Sequence, residues 1–205
     1  MKSKNLKAEE KILYYAKQEF MQKGFDDASM RTIAEKAGFT TGMLYSRFAD
    51  KNELFSALVK EGADKLYSYF TGAQEEFASF CPEKQAKEMH EYTHEKMLEM
   101  IDVIYDYFDA FRLIVCKSAG SGYERYIDTL IEIETRSTVR FIDVMQKSGA
   151  KVRTVRQDLN HILASAMFNG IFEIVAHEFT KEDALGYVRE LCAFFDAGWD
   201  RLLGM

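Results

Sequence analysis

The sequence predicts an all-α protein, and three observations carry that reading. Apolar residues recur three and four positions apart along nearly the whole chain, the signature of helices with one buried face. No stretch alternates apolar and polar residues as a half-buried strand would. Pro82 is the only proline in 205 residues, so little else of that kind interrupts helical pattern. With 47% apolar residues there is material for a sizeable core. About nine helices follow, with no repeats or low-complexity tracts, arranged as a small three-helix domain over residues 1–50 and a larger helical domain over residues 51–205.

The first helix is marked by Ile12, Leu13, Ala16 and Phe20 at helical spacing and closes at Gly24, with Phe25 placed to complete its cap. Lys2, Lys4 and Lys7 precede it, as a charged arm able to reach phosphate or as a solvated terminus. The next stretch, Ser29 to Lys51, reads SMRTIAEKAGFTTGMLYSRFADK. Ser29 is a good N-cap for a second helix whose Ile33, Ala34 and Ala37 share a face. Gly38 ends that helix, because a glycine just past the last turn adopts positive φ at no steric cost. Thr40 or Thr41 then caps a third helix in which Leu44 and Phe48 point inward. That leaves Thr41, Gly42, Met43, Tyr45, Ser46 and Arg47 outward, a small, polar and partly aromatic face suited to a DNA groove.

The run Ile33-Ala34, Ala37-Gly38, Thr40, Gly42, Leu44-Tyr45, Phe48, Lys51 and Leu54 resembles the helix-turn-helix of the tetracycline-repressor (TetR) family. About ten positions match in roughly twenty-five, near the N-terminus of a chain of suitable length. Arg47 stands where the family often has His, and Met43 where a small hydroxyl residue is frequent; both lie on the outer face, where they bear on operator choice. The resemblance implies a homodimeric regulator that binds a palindromic double-stranded DNA operator, acts as a repressor and is released by a small-molecule effector. On this chain it assigns Tyr45 and Lys51 to phosphate and Arg31 to phosphate or a base edge. Thr41, Gly42 and Met43 then approach the bases, with Thr40, Ser46 and Arg47 on the same face.

Charge is divided in a way that fits. The net charge is −6, yet residues 1–51 hold ten Lys or Arg against seven Asp or Glu, whereas the remainder holds seventeen against twenty-six. A first quarter at +3 attracts phosphate, and a remainder at −9 is repelled by it.

Asp50 can cap a long fourth helix running to about Phe80, with Leu54, Leu58, Ala63, Leu66, Tyr67 and Phe70 on one side. Cys81-Pro82 breaks it. A helical pattern resumes from Glu83 to about Phe111, Gly120-Ser121-Gly122 marks a loop, and Tyr123 to Lys147 reads as a further helix ended at Gly149. Asp158 to Phe179 and Glu182 to Leu203 are the last two. The first of these is apolar nearly all round, with a single polar line through His161, Ser165, Asn169, Glu173 and His177, so it needs two neighbours. In the family resembled, this pair forms a four-helix bundle with its two-fold mate. The candidate seam is Asn169, Glu173, Leu191, Phe195, Trp199 and Leu202; the alternative is two buried core helices in a monomer.

The larger domain is rich in aromatic and methionine side chains. Leu66, Tyr67, Phe70, Met97, Met100, Tyr105, Phe108, Phe111, Met167 and Phe168 are the candidate effector pocket, against the ordinary reading of such faces as core. Asp102, Asp106 and Asp109 at helical spacing would favour a cationic or polar effector, against the more ordinary reading of such a cluster as a solvated edge.

His90-Glu91-Tyr92-Thr93-His94 fits HExxH, in which two histidines one turn apart hold zinc and the glutamate acts as base. A zinc-dependent hydrolase through His90, Glu91 and His94 is thus one alternative, and a constitutive DNA binder without effector is another. Charged flanks and the absence of the extended motif's third ligand, with Met97 and Met100 in place of its Gly and His, argue against a metal. No GxSxG, P-loop or GxGxxG offers another catalytic route, so neither enzyme activity nor a cofactor is expected. Cys81, Cys116 and Cys192 are widely spaced and read as reduced thiols of a cytoplasmic protein. The N-terminus lacks an apolar segment, and the longest apolar stretch, Ile162 to Ala176, is broken by polar residues, so neither signal peptide nor membrane span is expected.

Overall fold

The computed structural model describes the backbone of residues 2–205 and the side chains from Lys7 onward. The arm expected at Lys2 and Lys4 lies outside those described side chains. Among the described residues there are nine α-helices and no strand: α1 (Lys2–Asp27), α2 (Met30–Ala37), α3 (Thr41–Tyr45), α4 (Lys51–Ala78), α5 (Pro82–Asp106), α6 (Phe108–Lys117), α7 (Tyr126–Lys147), α8 (Gln157–Ala176) and α9 (Lys181–Leu203). They form two compact units: the chain up to Asp64 together with Tyr107–Tyr126, and Lys65–Asp106 together with Ile127–Met205. The first unit is larger than the residues 1–50 read from sequence as a domain, because the opening turns of α4 and the whole of α6 contribute to its core.

In the first unit Ile12, Ala16 and Phe20 of α1 and Ile33, Ala34 and Ala37 of α2 are fully buried, as their spacing requires. Phe20, Phe25 and Phe55 stack and cross with ring centroids 5.0 to 6.0 Å apart, in the geometry aromatic pairs prefer. Glu19, fully buried, pairs with Lys23 at 2.8 Å and Lys36 at 3.0 Å, tying α1 to α2. Burial alone would raise its carboxyl, but the two lysines outweigh that and hold it below the usual range. Asp50 accepts from the Glu53 amide at 2.8 Å while Glu53 reaches back to the Ala49 amide at 2.6 Å, a reciprocal cap that starts α4.

The single helix expected from Glu83 to about Phe111 is two. Tyr107, at φ −122° and ψ 34°, separates α5 from α6. No glycine or proline marks the place. The cause is tertiary: the Tyr107 hydroxyl donates to Glu61 at 2.9 Å, and Gly62 is so close that a Cβ on it would lie 2.8 Å from Tyr107 Cβ.

In the second unit Phe141, Ile142, Met145, Val152 and Leu203 form a buried cluster, with Phe77, Met89, Val144, Val155 and Trp199 packed on it. By length and composition α8 is apolar enough to cross a membrane, yet it buries Ala164, Met167, Phe168, Ile171, Phe172, Ile174 and Val175 within the chain. No disulfide joins the three cysteines, of which Cys81 and Cys116 are exposed and Cys192 is buried.

Candidate functional site

The first candidate surface is the outer face of α3. Ser29 accepts from the Thr32 amide at 3.3 Å, Gly38 takes φ 78° and ties its amide to Glu35 at 3.0 Å, and Thr40 accepts from the Met43 amide at 3.2 Å. These three local devices fix the angle between α2 and α3, and fully buried Leu44 with buried Phe48 anchor α3 from below. Met43 and Tyr45 are then 42% and 48% exposed. Arg31, Thr40, Gly42 and Ser46 are exposed as well, and Thr41, Arg47 and Lys51 are half-buried.

Several of these groups already have partners. Arg31 Nε donates to Glu35 at 2.8 Å, and Ser46 Oγ and Arg47 Nη1 donate to the Met43 carbonyl at 2.8 and 3.3 Å. Lys51 Nζ donates to the carbonyls of Asp26 and Ala28 at 2.8 and 3.5 Å and sits 4.7 Å from the Phe25 ring centre. Lys51 therefore braces the turn between α1 and α2, a role its sequence position did not disclose.

The second candidate is a cavity of about 330 Å³ inside the second unit. Of the ten residues expected to line a pocket, Tyr67, Phe70, Met97 and Met167 do so. Leu66, Met100 and Phe168 are instead fully buried core, and Tyr105 spends its hydroxyl on the Phe179 carbonyl at 2.7 Å. Phe108 and Phe111 belong to the first unit. Much of the wall was not expected: Gln74, Phe77, Gln85, Met89, Tyr92, Lys96, Glu134, Phe141 and Trp199.

Tyr92 is held by its hydroxyl, which donates to the Ala73 carbonyl at 2.9 Å and to Glu76 at 3.0 Å. Burial and the Glu76 carboxylate push that phenol well above its usual range, so it stays a neutral donor. Phe77 lies 5.4 Å from Tyr92 and 6.1 Å from Phe141, centre to centre, forming an aromatic wall. Glu134 faces the cavity half-buried, accepting from Gln74 Nε2 at 2.8 Å. Burial raises its carboxyl above the usual range, against hydrogen bonds from Gln74 and Thr138.

The HExxH histidines have a visible occupation. His90 Nε2 lies 2.9 Å from Asp200 Oδ1, and His94 Nε2 lies 2.6 Å from Asp196 Oδ2, so both rings fasten α5 to α9, while Glu91 is exposed. Among the described residues no group of three or more His, Cys, Asp or Glu is arranged to hold a metal ion.

Two of the residues expected at the seam on α8 and α9, Phe195 and Trp199, lie on the cavity wall instead. Phe195 is only 9% exposed and lines the cavity, so it turns into its own chain; its neighbour Phe194 is 73% exposed and Ile162 on α8 is 60% exposed. Trp199 also lines the cavity. Asn169 and Glu173 are exposed, while Leu191 and Leu202 are half-buried.

Comparison with known proteins places a name on the first surface. Residues 12–58, which include α2, α3 and the start of α4, match the bacterial regulatory proteins of the tetR family. The likeness to that family covers this stretch, 47 of 205 residues. The HTH-type transcriptional regulator YdgC of Bacillus subtilis (strain 168) is 38% identical over 61 residues, 30% of this chain and 31% of that relative, so the match spans about a third of it. Among solved structures, a TetR-like transcriptional regulator from Rhodococcus sp. RHA1 has TM-score 0.59 at 17% identity, covering 93% of this chain and 96% of its own. A transcriptional regulator from Aquifex aeolicus VF5 has TM-score 0.59 at 17% identity, covering 92% and 99%. At such identities the two structures show the tetR-like all-α fold alone.

Proposed function

We propose that this chain is a DNA-binding transcriptional regulator of the tetR family, a repressor that grips a palindromic operator as a homodimer in the cytoplasm and lets go when a small molecule fills the cavity. The observation that carries the reading is the exposed face of α3, set by the caps at Ser29, Gly38 and Thr40 within the stretch that matches the family. Residues 1–50, a reading head at +3 over residues 1–51, approach phosphate; Thr41, Gly42 and Met43 approach bases. Palindromic half-sites lie about 34 to 36 Å apart, so a two-fold dimer matches them. Exposed Ile162 on α8 and Phe194 on α9, with Asn169, Glu173, Leu191 and Leu202 on the same two helices, form its seam.

An effector that weakens operator binding must itself bind the DNA complex more weakly by the same factor. The test titrates purified protein onto the DNA upstream of its own gene by fluorescence anisotropy, with sedimentation of the same sample. Saturable binding by two protomers per site, abolished by Tyr45→Ala, supports the reading. Binding that ignores sequence, or a monomer that binds as well, overturns it.

A further inference from the structure

We propose that the cavity of the second unit selects an aromatic ligand carrying a protonated amine, with the Glu134 carboxylate as its counter-ion. The inference rests on reading that cavity as the effector site, and it names the effector's chemical class.

The charges on the cavity wall are balanced in different ways. Lys96 is paired with Glu99 at 3.0 Å, and Asp196 faces His94 and His90 at 2.6 and 3.3 Å. Glu75, Arg136 and Arg140 are exposed and keep their water. Glu134 is different: it is half-buried, and the partners at its carboxylate are the neutral amide of Gln74, at 2.8 Å, and the neutral hydroxyl of Thr138. A carboxylate that has lost water and gained neutral donors is raised in energy, which is why burial lifts its pKa. A cation brought to it recovers that energy and draws the group back to its ionised form.

The surroundings select what carries the cation. Phe77, Tyr92, Phe141 and Trp199 line the same space, and aromatic faces hold flat rings and cations alike. Tyr92 already has the Lys96 ammonium 5.6 Å from its ring centre. About 330 Å³ takes a molecule of two or three rings. An anionic ligand fits poorly, since it would set a second negative charge near Glu134.

The test is calorimetric titration of the full-length protein with three matched probes: 2-(1-naphthyl)ethylamine, cationic at neutral pH, the neutral 2-(1-naphthyl)ethanol and the anionic 1-naphthylacetate. The amine should bind at least about tenfold more tightly than either of the others. Glu134→Gln should bring the amine down to the alcohol's affinity and leave the alcohol unchanged, which also shows that the variant is folded. Glu132→Gln, exposed on α7 and off the cavity wall, should change nothing. Equal affinities for amine and alcohol, tightest binding by the acid, or an equal loss in Glu132→Gln overturns the proposal while leaving the cavity a ligand site. If none of the three binds, and neither does the apolar N-phenyl-1-naphthylamine, the effector reading falls and takes the proposal with it. Should Glu134→Gln fail to fold, the charge series on the native protein still decides.

Discussion

The ammonium of Lys51 lies 2.8 Å from the backbone oxygen of Asp26, so the residue assigned to DNA phosphate is also a strut of the turn behind the reading helix. An ammonium has three protons; the carbonyls of Asp26 and Ala28 take two and leave one for a phosphate. Lys51→Ala should therefore lower the folding free energy by about 1 to 2 kcal/mol. It should also flatten the dependence of operator affinity on salt by about one unit of slope. Thermal melts and anisotropy across a salt series read the two effects separately, and a lowered melting point with an unchanged slope assigns Lys51 to bracing alone.

Gly42 offers a clean probe of groove contact. A methyl there would meet no atom within 4 Å in the free protein, and alanine favours helix, so Gly42→Ala should fold at least as stably as the parent. Operator affinity should nevertheless fall, because the added carbon occupies space a base edge needs. Changes at Thr41 or Met43 should shift sequence preference by about 1 to 3 kcal/mol, measured by competition among operator variants. Undiminished binding by Gly42→Ala would place the bases elsewhere.

Glu19 sets an acid limit on the first unit. Its carboxyl is held below the usual 4.5 when folded, so the stability it contributes is complete above that pH and drains away as pH falls through the lower folded value. Glu19→Gln should cost about 1 to 3 kcal/mol at neutral pH. Denaturant unfolding followed from pH 7 downward should show a constant gap between parent and variant until about pH 4.5 and a closing gap below it. A gap that persists into strong acid would mean the two lysine pairs contribute nothing.

Phe194 and Phe195 are adjacent and should fail differently. Phe194→Asp places a charge on a side chain already 73% exposed, so the chain should fold and the dimer dissociate. Phe195→Asp buries a charge beside the cavity and should cost about 3 to 5 kcal/mol of folding free energy. Sedimentation velocity and circular dichroism separate the outcomes; an intact Phe194→Asp dimer moves the seam off this face.

What could be read from the sequence was local. Ser29, Gly38, Thr40 and Asp50 act within a turn of their own helices, and all four cap as their residue types suggest. What could not be read depended on distant partners. The break at Tyr107 comes from Gly62 and Glu61, far back in the chain. Spacing identifies an apolar stripe but not which edge of it turns inward, hence the exchange of Phe194 for Phe195, about 100° apart on the helix. Glu134 gave no signal at all: a glutamate on an amphipathic helix reads as solvated until Gln74 is seen across from it.

The first unit closes only when Tyr107–Tyr126 joins the chain up to Asp64. During synthesis, at roughly 5 to 20 residues per second, α1 to α3 emerge several seconds before α6, which packs on α1. Until then Phe20, Phe25 and Phe55 have no complete core to enter. The apolar side chains of this unit therefore stay incompletely covered over that interval, and its fold is completed only after synthesis has passed Tyr126.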